Sequence, residues 1–449
     1  MTTRATILDP TIPRWPAFRR LRRLVLGAAL GLAAACSTDD LLEVERPDII
    51  DPGKLGGALG ATALYNGAIG DLAYAQGTFA GLMLASGLFS DEFRFGGTPP
   101  EVRQFDLGAI QKENSFSQAI YLNIHRGRIA AAKAAAAVAA VNASDPRIAE
   151  LKALQALATI WVGEHYCAGA PLSDFGPPEQ FGNPLSTQQV FQQAIDLLTE
   201  AQAKAGTDAR LVNLIAVLRG RALLNNGQFA AAAQAVAAVP TAYEYEALFS
   251  SSDARTQNNM KAFIYDFDYL SVSDGEGTNG LNFATAGDPR VPTHFAGPSR
   301  FDSKTPHYQL TTYASFDSPI VNASGVEARL IEAEAALQPP TPDLDLWRAK
   351  LDQARAPWSM GPVADPGTPA GRVSLMFRER AFALFGTAHR VGDLRRLVRQ
   401  YGRGVNAAFP TGAYHKDNLT RGDQGSIIVP QTEENNPNYS PTACDPLKS

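Results

Sequence analysis

The residues in this chain that could carry chemistry are few and scattered. Six histidines stand at 125, 165, 294, 307, 389 and 415, without the short spacings by which imidazoles share a metal. Glu327, Glu332 and Glu334 fall in one helix-length run, and Glu327 and Glu334 would lie near one face, as a general acid–base pair requires. Arg329 and the surrounding alanines point instead to a solvated or salt-bridged helix. The stretch DGEGTNGLN at 274–282 has the oxygens of a calcium loop but neither their alternation nor a closing glutamate, so it reads as a turn cluster. There is no G-x-S-x-G elbow and no Walker loop. What remains is aromatic. SGLFSDEFRFGGTPPEVRQF at 86–105, YDFDYLSVSDGEGTNGLNF at 265–283 and HYQLTTYASFDSP at 307–319 carry rings on segments rich in Gly, Pro, Ser and Asp. Rings on loops held by a rigid frame suit ligand stacking, and the same rings would serve equally to plug the loops into a core. As a stacking set the sequence offers Phe95, Tyr269, Tyr308 and Tyr313, with Arg103 and Asp268 as polar partners.

The elements that must hold these loops are helical. Ala209 to Pro240 reads as two helices and a tight turn: Leu211, Leu214, Ile215, Leu218, Ala222 and Leu223 form one apolar face, and Asn225-Asn226-Gly227 ends it. Gly220, Leu223, Gly227, Phe229, Ala232 and Val236 stand at tetratricopeptide-like offsets, with Phe229 expected between the two helices; an ordinary helical hairpin fits as well. One such unit cannot bury its own face, so neighbours must stack on it. Helical periodicity predicts further helices at 55–72, 74–87, 116–142, 146–166, 187–205, 325–337, 344–356, 373–385 and 392–401. Between 241 and 323 that period is lost, and Phe263, Tyr265, Phe267 and Tyr269 alternate as in a short strand. Residues 404–449 are a coat rich in proline and asparagine.

Hydrophobic residues make up 45% of the 449 and charged ones 19%, the balance of a folded chain rather than a disordered one. The first 35 residues differ from the rest. Arg14, Arg19, Arg20, Arg22 and Arg23 precede LVLGAALGLAAA at 24–35, an apolar run too short for a stable span, and Cys36 follows. This is the pattern of a signal peptide over 1–35. The residues around Cys36 resemble a bacterial lipobox, with Ala33 where leucine is usual; an ordinary secretory leader ahead of a stray cysteine is the alternative. Lipidation (palmitate or related acyl chains) would hold the protein at a membrane without a spanning helix, and 36–54 would form the tether. Beyond residue 35 there are 34 Lys+Arg against 44 Asp+Glu, a formal net charge of −10. So acidic a chain has no electrostatic case for binding nucleic acid. Cys167 and Cys444 remain, and an oxidising compartment would let them pair.

The order of the segments resembles the SusD/RagB nutrient-uptake outer-membrane lipoproteins. SGLFSDEF at 86–93 is similar to the family's serine-aspartate-glutamate turn. FSQAIYLNIHRGRIAAAKA from Phe116 resembles its next helix, with Phe116 in place of tryptophan and Gly127-Arg128 where alanine-asparagine is usual. VFQQAIDLLTEA at 190–201, LLNNGQFAAAAQAVAAV at 223–239 and VEARLIEAEAAL at 326–337 follow in the family's order, the last with Glu332 for the usual arginine. FRERAFALFGTAHRVGDLRRL at 377–397 and IIVPQTEENNP at 427–437 match its C-terminal signals, except that Ala388 and His389 replace an arginine and an aromatic. The resemblance implies a mainly α fold with a tetratricopeptide-like helical-pair scaffold (55–239 and 324–402), a loop-rich ligand region (241–323) and a coat (404–449). It implies a non-catalytic protein without cofactor, held at the outer-membrane surface. Such a protein captures a nutrient, often an oligosaccharide, and passes it to a SusC-like TonB-dependent barrel. An envelope scaffold binding other proteins, and more remotely a glycoside hydrolase, are the alternatives.

Cleavage before Cys36 and its acylation are the expected processing, and Asp39-Asp40 resembles an acidic surface-export signal. Mass spectrometry of the mature N-terminus should find diacyl- or triacyl-cysteine; an unmodified chain starting elsewhere rules this out.

Overall fold

The computed structural model describes residues 56–174, 180–338 and 340–448; the expected leader, Cys36 and the tether lie outside these residues. The N-terminal half is a succession of helices, each packed on the next. Helix α1 (Gly57–Gly77) leads to α2 (Leu82–Phe89), strand β1 (Phe93–Phe95) and α3 (Pro100–Leu107). The chain then forms α4 (Ser115–Val141), α5 (Arg147–His165), α6 (Thr187–Gln202), α7 (Ala209–Asn225) and α8 (Phe229–Val236). Starts are set by caps: Asn114 accepts the Ser117 N–H, Ser186 and Gln189 form a reciprocal box, and Asp208 accepts from Arg210 and Leu211. From Ala156 to its end α5 is buried on every side, so it is the axis about which α1, α4, α6 and α7 gather. Together α1 and α2 are long and apolar enough to cross a membrane, but they are mostly buried inside this fold.

The first helix break falls later than the periodicity predicts. The chain stays helical to Gly77 and turns at 78–81, where glycine is required. A Cβ at Gly77 would sit 2.5 Å from the Phe249 ring, and one at Gly81 would strike the Gln76 and Thr78 carbonyls. The hairpin α7–α8 also corrects an expectation. Phe229 is only half-buried, edge-on to Tyr401 with ring centroids 6.5 Å apart. Val236, fully buried, is the knob instead: a side chain at Gly220 would overlap it. The ring is displaced because backbone and valine already fill the close approach.

The middle of the chain holds three short antiparallel pairs. β1 pairs with β3 (Leu270–Val272), β2 (Glu244–Ala247) with β6 (Ile320–Ser324), and β4 (Thr293–Pro298) with β5 (Pro306–Leu310). The strand expected at 263–269 is not one. Ala262–Asp266 form a π turn, and Asp268 takes φ 52°, so the alternating rings leave the backbone in different directions. Helices return as α9 (Gly325–Ala336), α10 (Leu344–Arg355), α11 (Pro369–Ala383), α12 (Arg390–Arg399) and the single turn α13 (Val405–Ala408). α11 begins earlier than expected because Thr368 caps it and Pro369 occupies its first turn. The coat is stitched to the end of α5. Ile427 N–H donates to His165 O at 2.8 Å, Cys167 N–H to Ile427 O at 3.0 Å, and Cys167 is disulfide-bonded to Cys444.

Charged pairs are buried where helices meet. Glu164 on α5 takes Arg221 of α7 at 2.8 Å and Asn225 at 2.9 Å. Asp91, after α2, takes Arg390 of α12 in a two-pronged bond at 2.7 and 3.0 Å. Asp393 is clamped by Arg380 at 2.8 Å and Arg396 at 2.7 Å, and Arg396 also holds Glu334. Burial alone would push the Asp393 carboxyl up; the two guanidiniums hold it well below the carboxylate range. Glu332 and Glu334 of α9 are therefore salt-bridged as expected, to Arg329 and Arg396, but like Glu327 they are interior rather than solvated.

Glu92 is the exception among these carboxyls. It lies fully inside and receives the Gly386 N–H at 2.9 Å, yet burial pushes it up to about 8 against that bond and the Arg390 charge. The folded protein keeps this proton up to about pH 8, whereas an unfolded glutamate loses it near the ordinary value of 4.5. Stability should thus fall as pH rises from 4.5 towards 8, by up to about 1.4 kcal/mol per pH unit from this group. Glu92→Gln, which keeps the neutral shape, should flatten that slope in urea denaturation; an unchanged slope would mean that Glu92 is ionised in the fold.

Candidate functional site

The expected stacking set divides. Phe95 and Tyr313 are core residues, 1% and 2% exposed, and neither belongs to the exposed ring surface. Phe95 closes the end of β1 against Leu270, and the Tyr313 hydroxyl donates to Gly386 O at 2.7 Å. They were drawn into the set by lying on loops, but these loops turn those rings inward. Tyr269 and Tyr308 are partly exposed.

Tyr269 is the centre of a ring cluster. Its centroid is 4.7 Å from Phe301, 5.4 Å from Phe267 and 5.8 Å from Phe95. Phe267 and Phe301 are each 43% exposed. On the adjacent hairpin Phe295, 55% exposed, lies 5.0 Å from Tyr308 across the β4–β5 ladder. Sequence reasoning named the two tyrosines and missed the three phenylalanines. The alternation at 263–269 held the signal for Phe267, once read as a turn whose odd rings need not share a face.

What positions these rings is backbone. Gly96 N–H donates to Tyr269 O at 2.8 Å, continuing the β1–β3 pairing. A Cβ at Gly97 would stand 2.6 Å from the Phe95 ring and 2.7 Å from the Tyr269 ring. The Gly-Gly pair thus lets the chain pass beneath the cluster. Asp268 is 8% exposed and does not reach out as a free polar partner. Its carboxylate takes Arg300 at 2.7 and 3.0 Å and stands 3.6 Å from His307. Burial raises its pKa, but the Arg300 bond and the His307 and Arg300 charges prevail and keep it lowered. The pair anchors the 299–305 loop that carries Phe301.

Beside the cluster is a cleft of about 300 Å³ walled by Arg94, Asp302, Lys304, His415, Lys416 and Asp417. Lys416 donates to Gly97 O at 2.8 Å and lies 5.3 Å over the Phe95 ring; burial pushes its ammonium down. Arg103 reaches the rim through Asp417 at 3.0 Å. Behind the cleft Glu276 takes Arg94 at 2.8 Å and also Arg421, with His415 at 3.8 Å. Burial pushes the Glu276 carboxyl up, but His415, Arg94 and Arg421 carry it down to about 2. Glu276 and Asp417 are occupied by guanidiniums, and Asp302 accepts from the N–H groups of Lys304 and Thr305 in its own loop. Among the described residues no group of His, Cys, Asp and Glu could hold a metal ion.

No family model and no curated protein matches the chain. Solved structures do. A SusD superfamily protein from Parabacteroides distasonis aligns with a TM-score of 0.63 and 14% identity, covering 85% of this chain and 98% of that one. A SusD-like carbohydrate binding protein from Bacteroides fragilis gives 0.62 and 14%, over 85% and 99%. A laminarin binding SusD-like protein gives 0.52 and 15%, over 79% and 96%. The chain therefore has the SusD fold, the mainly α helical-pair architecture with a loop-rich half that its segment order implied.

Because Gly97 is wedged between two rings, Gly97→Ala should force Phe95 or Tyr269 to move, at a cost of about 1–3 kcal/mol in chemical denaturation. A neutral result would mean that the rings yield freely and the cluster is not preorganised.

Proposed function

We propose that this protein is a non-catalytic, cell-surface lipoprotein that captures an oligosaccharide and delivers it to a TonB-dependent outer-membrane barrel. The observation that carries the reading is the exposed ring set Phe267–Tyr269–Phe301 with Phe295–Tyr308, next to a polar cleft. A sugar ring has apolar C–H faces that stack on aromatics and hydroxyls that need polar partners, and this surface offers both. Open rings on a rigid frame favour ligand capture over a purely scaffolding role, in which they would be core. The likeness to proteins described as carbohydrate binding and laminarin binding supports the same reading. The acyl anchor on Cys36 and the barrel partner follow from the leader and the resemblance. Within the expected site Tyr269 and Tyr308 are stacking residues, and Arg103 and Asp268 act by holding the loops.

Calorimetric titration of the full chain with soluble α- and β-glucan oligosaccharides tests the site. Tyr269→Ala and Phe301→Ala should each weaken binding by about 0.5–1.5 kcal/mol beyond the area lost. The Phe301 variant should leave the melting temperature nearly unchanged, since an exposed ring supports little of the core. Wild-type binding in both variants would place the site elsewhere, and absence of a barrel protein on co-purification from detergent-solubilised membranes would remove the delivery role.

A further inference from the structure

A second pocket, of about 240 Å³, lies at the base of the β4–β5 hairpin, between the first turn of α9 and the segment 383–389. It shares no lining residue with the cleft beside the ring cluster. Its walls are mixed, with Trp358, Pro292, Pro319 and Phe385 on the apolar side and Arg290 among the polar residues, and it reaches two buried polar side chains, Glu327 and His389. These are 1% and 4% exposed.

The orientation of the pair is fixed from behind. Ser324 accepts the Glu327 N–H at 3.0 Å, so the carboxyl leaves the first turn of α9 in one direction. His389 Nδ1 lies 2.8 Å from Thr387 Oγ1 and 3.1 Å from Thr387 O. Thr387 Oγ1 spends its own proton on Leu384 O, so both neighbours of Nδ1 are acceptors and Nδ1 carries the hydrogen. In the neutral ring Nε2 is then a lone pair. It stands 3.2 Å from Glu327 Oε1, an ion-pair distance when the ring carries a second proton, and apart from that contact neither carboxylate oxygen receives a hydrogen bond from the described residues. With the ring neutral, carboxylate and imidazole bring three acceptor sites together beside the apolar wall of the pocket. The nearby guanidiniums are committed elsewhere: Arg221 to Glu164, and Arg290 to Asp288 and Glu379. Glu244 adds a further carboxylate at the exposed rim.

We propose that this pocket binds a primary ammonium group carried on an apolar body. An –NH₃⁺ has three N–H donors and the charge that a buried carboxylate needs, so it can bridge Glu327 and His389 Nε2 while the body lies against Trp358 and the prolines. A hydroxyl has one donor and no charge and satisfies the site only in part.

Phenethylamine and 2-phenylethanol are the probes, since they share the apolar body and differ in the amine. Trp161 and Trp347 are fully buried and Trp15 lies in the expected leader, so in the mature chain protection of Trp358 from acrylamide quenching reports occupancy, and Trp358→Phe should abolish that signal. Phenethylamine should bind saturably and at least tenfold more tightly than the alcohol by calorimetry, and Glu327→Gln should remove that preference. Glucosamine and phenylalaninamide then distinguish an amino sugar from a peptide N-terminus as the source of the amine. Equal binding of amine and alcohol, or no binding of either, overturns the proposal; this comparison needs only the wild-type chain and stands even if Glu327→Gln fails to fold.

Discussion

A guanidinium inside a protein must meet a carboxylate, because an unpaired buried charge costs several kcal/mol. That constraint fixes how the two ends of this chain meet. Arg390, Arg380 and Arg396 enter the interior from the last third of the chain, and their partners Asp91, Asp393 and Glu334 come from the turn after α2, from α12 itself and from α9. Arg221 and Glu164 do the same between the middle helices. Apolar contacts between alanine-rich helices tolerate sliding, whereas a two-pronged ion pair in a low-dielectric interior does not. The pairs therefore set the register in which the helices stack, and the loops borne by those helices inherit it.

The helical half was legible because its signals are local. Caps such as Ser186 with Gln189, and the apolar face from Val190 to Leu198, can be read without knowing any partner. What failed was information held by distant residues. The break after Gly77 depends on Phe249, and the displacement of Phe229 depends on Val236 filling the space beside Gly220. At 263–269 an alternating pattern was real, but the π turn and the positive φ of Asp268 converted it from a strand into a fan of rings. Inward and outward rings on one loop have the same composition, so Phe95 and Tyr269 could not be separated before their neighbours were known.

Both polar regions described here follow one arrangement. Charged groups are neutralised in a rear layer, as Glu276 is by Arg94 and Arg421, or Glu164 by Arg221, and groups facing the openings inherit fixed positions. The surfaces differ in what they leave available. Around Tyr269 it is aromatic faces over a mixed-charge cleft; under Trp358 it is a set of acceptors beside an apolar wall. A neutral polyol suits the first and a compact cation the second.

The bond between Cys167 and Cys444 joins positions 277 residues apart. In terms of connectivity the chain is therefore a ring with a long N-terminal arm and a five-residue tail, and the ring includes α6 to α13, every loop that carries an exposed phenylalanine of the cluster, and most of the coat. A protease that cuts once within this ring leaves a single covalent molecule, its new ends still held by the buried ion pairs. Such a nick would be invisible by mass on a non-reducing gel and would separate two fragments only after reduction. While that bond is intact, damage to an exposed loop need not mean loss of the rest of the fold.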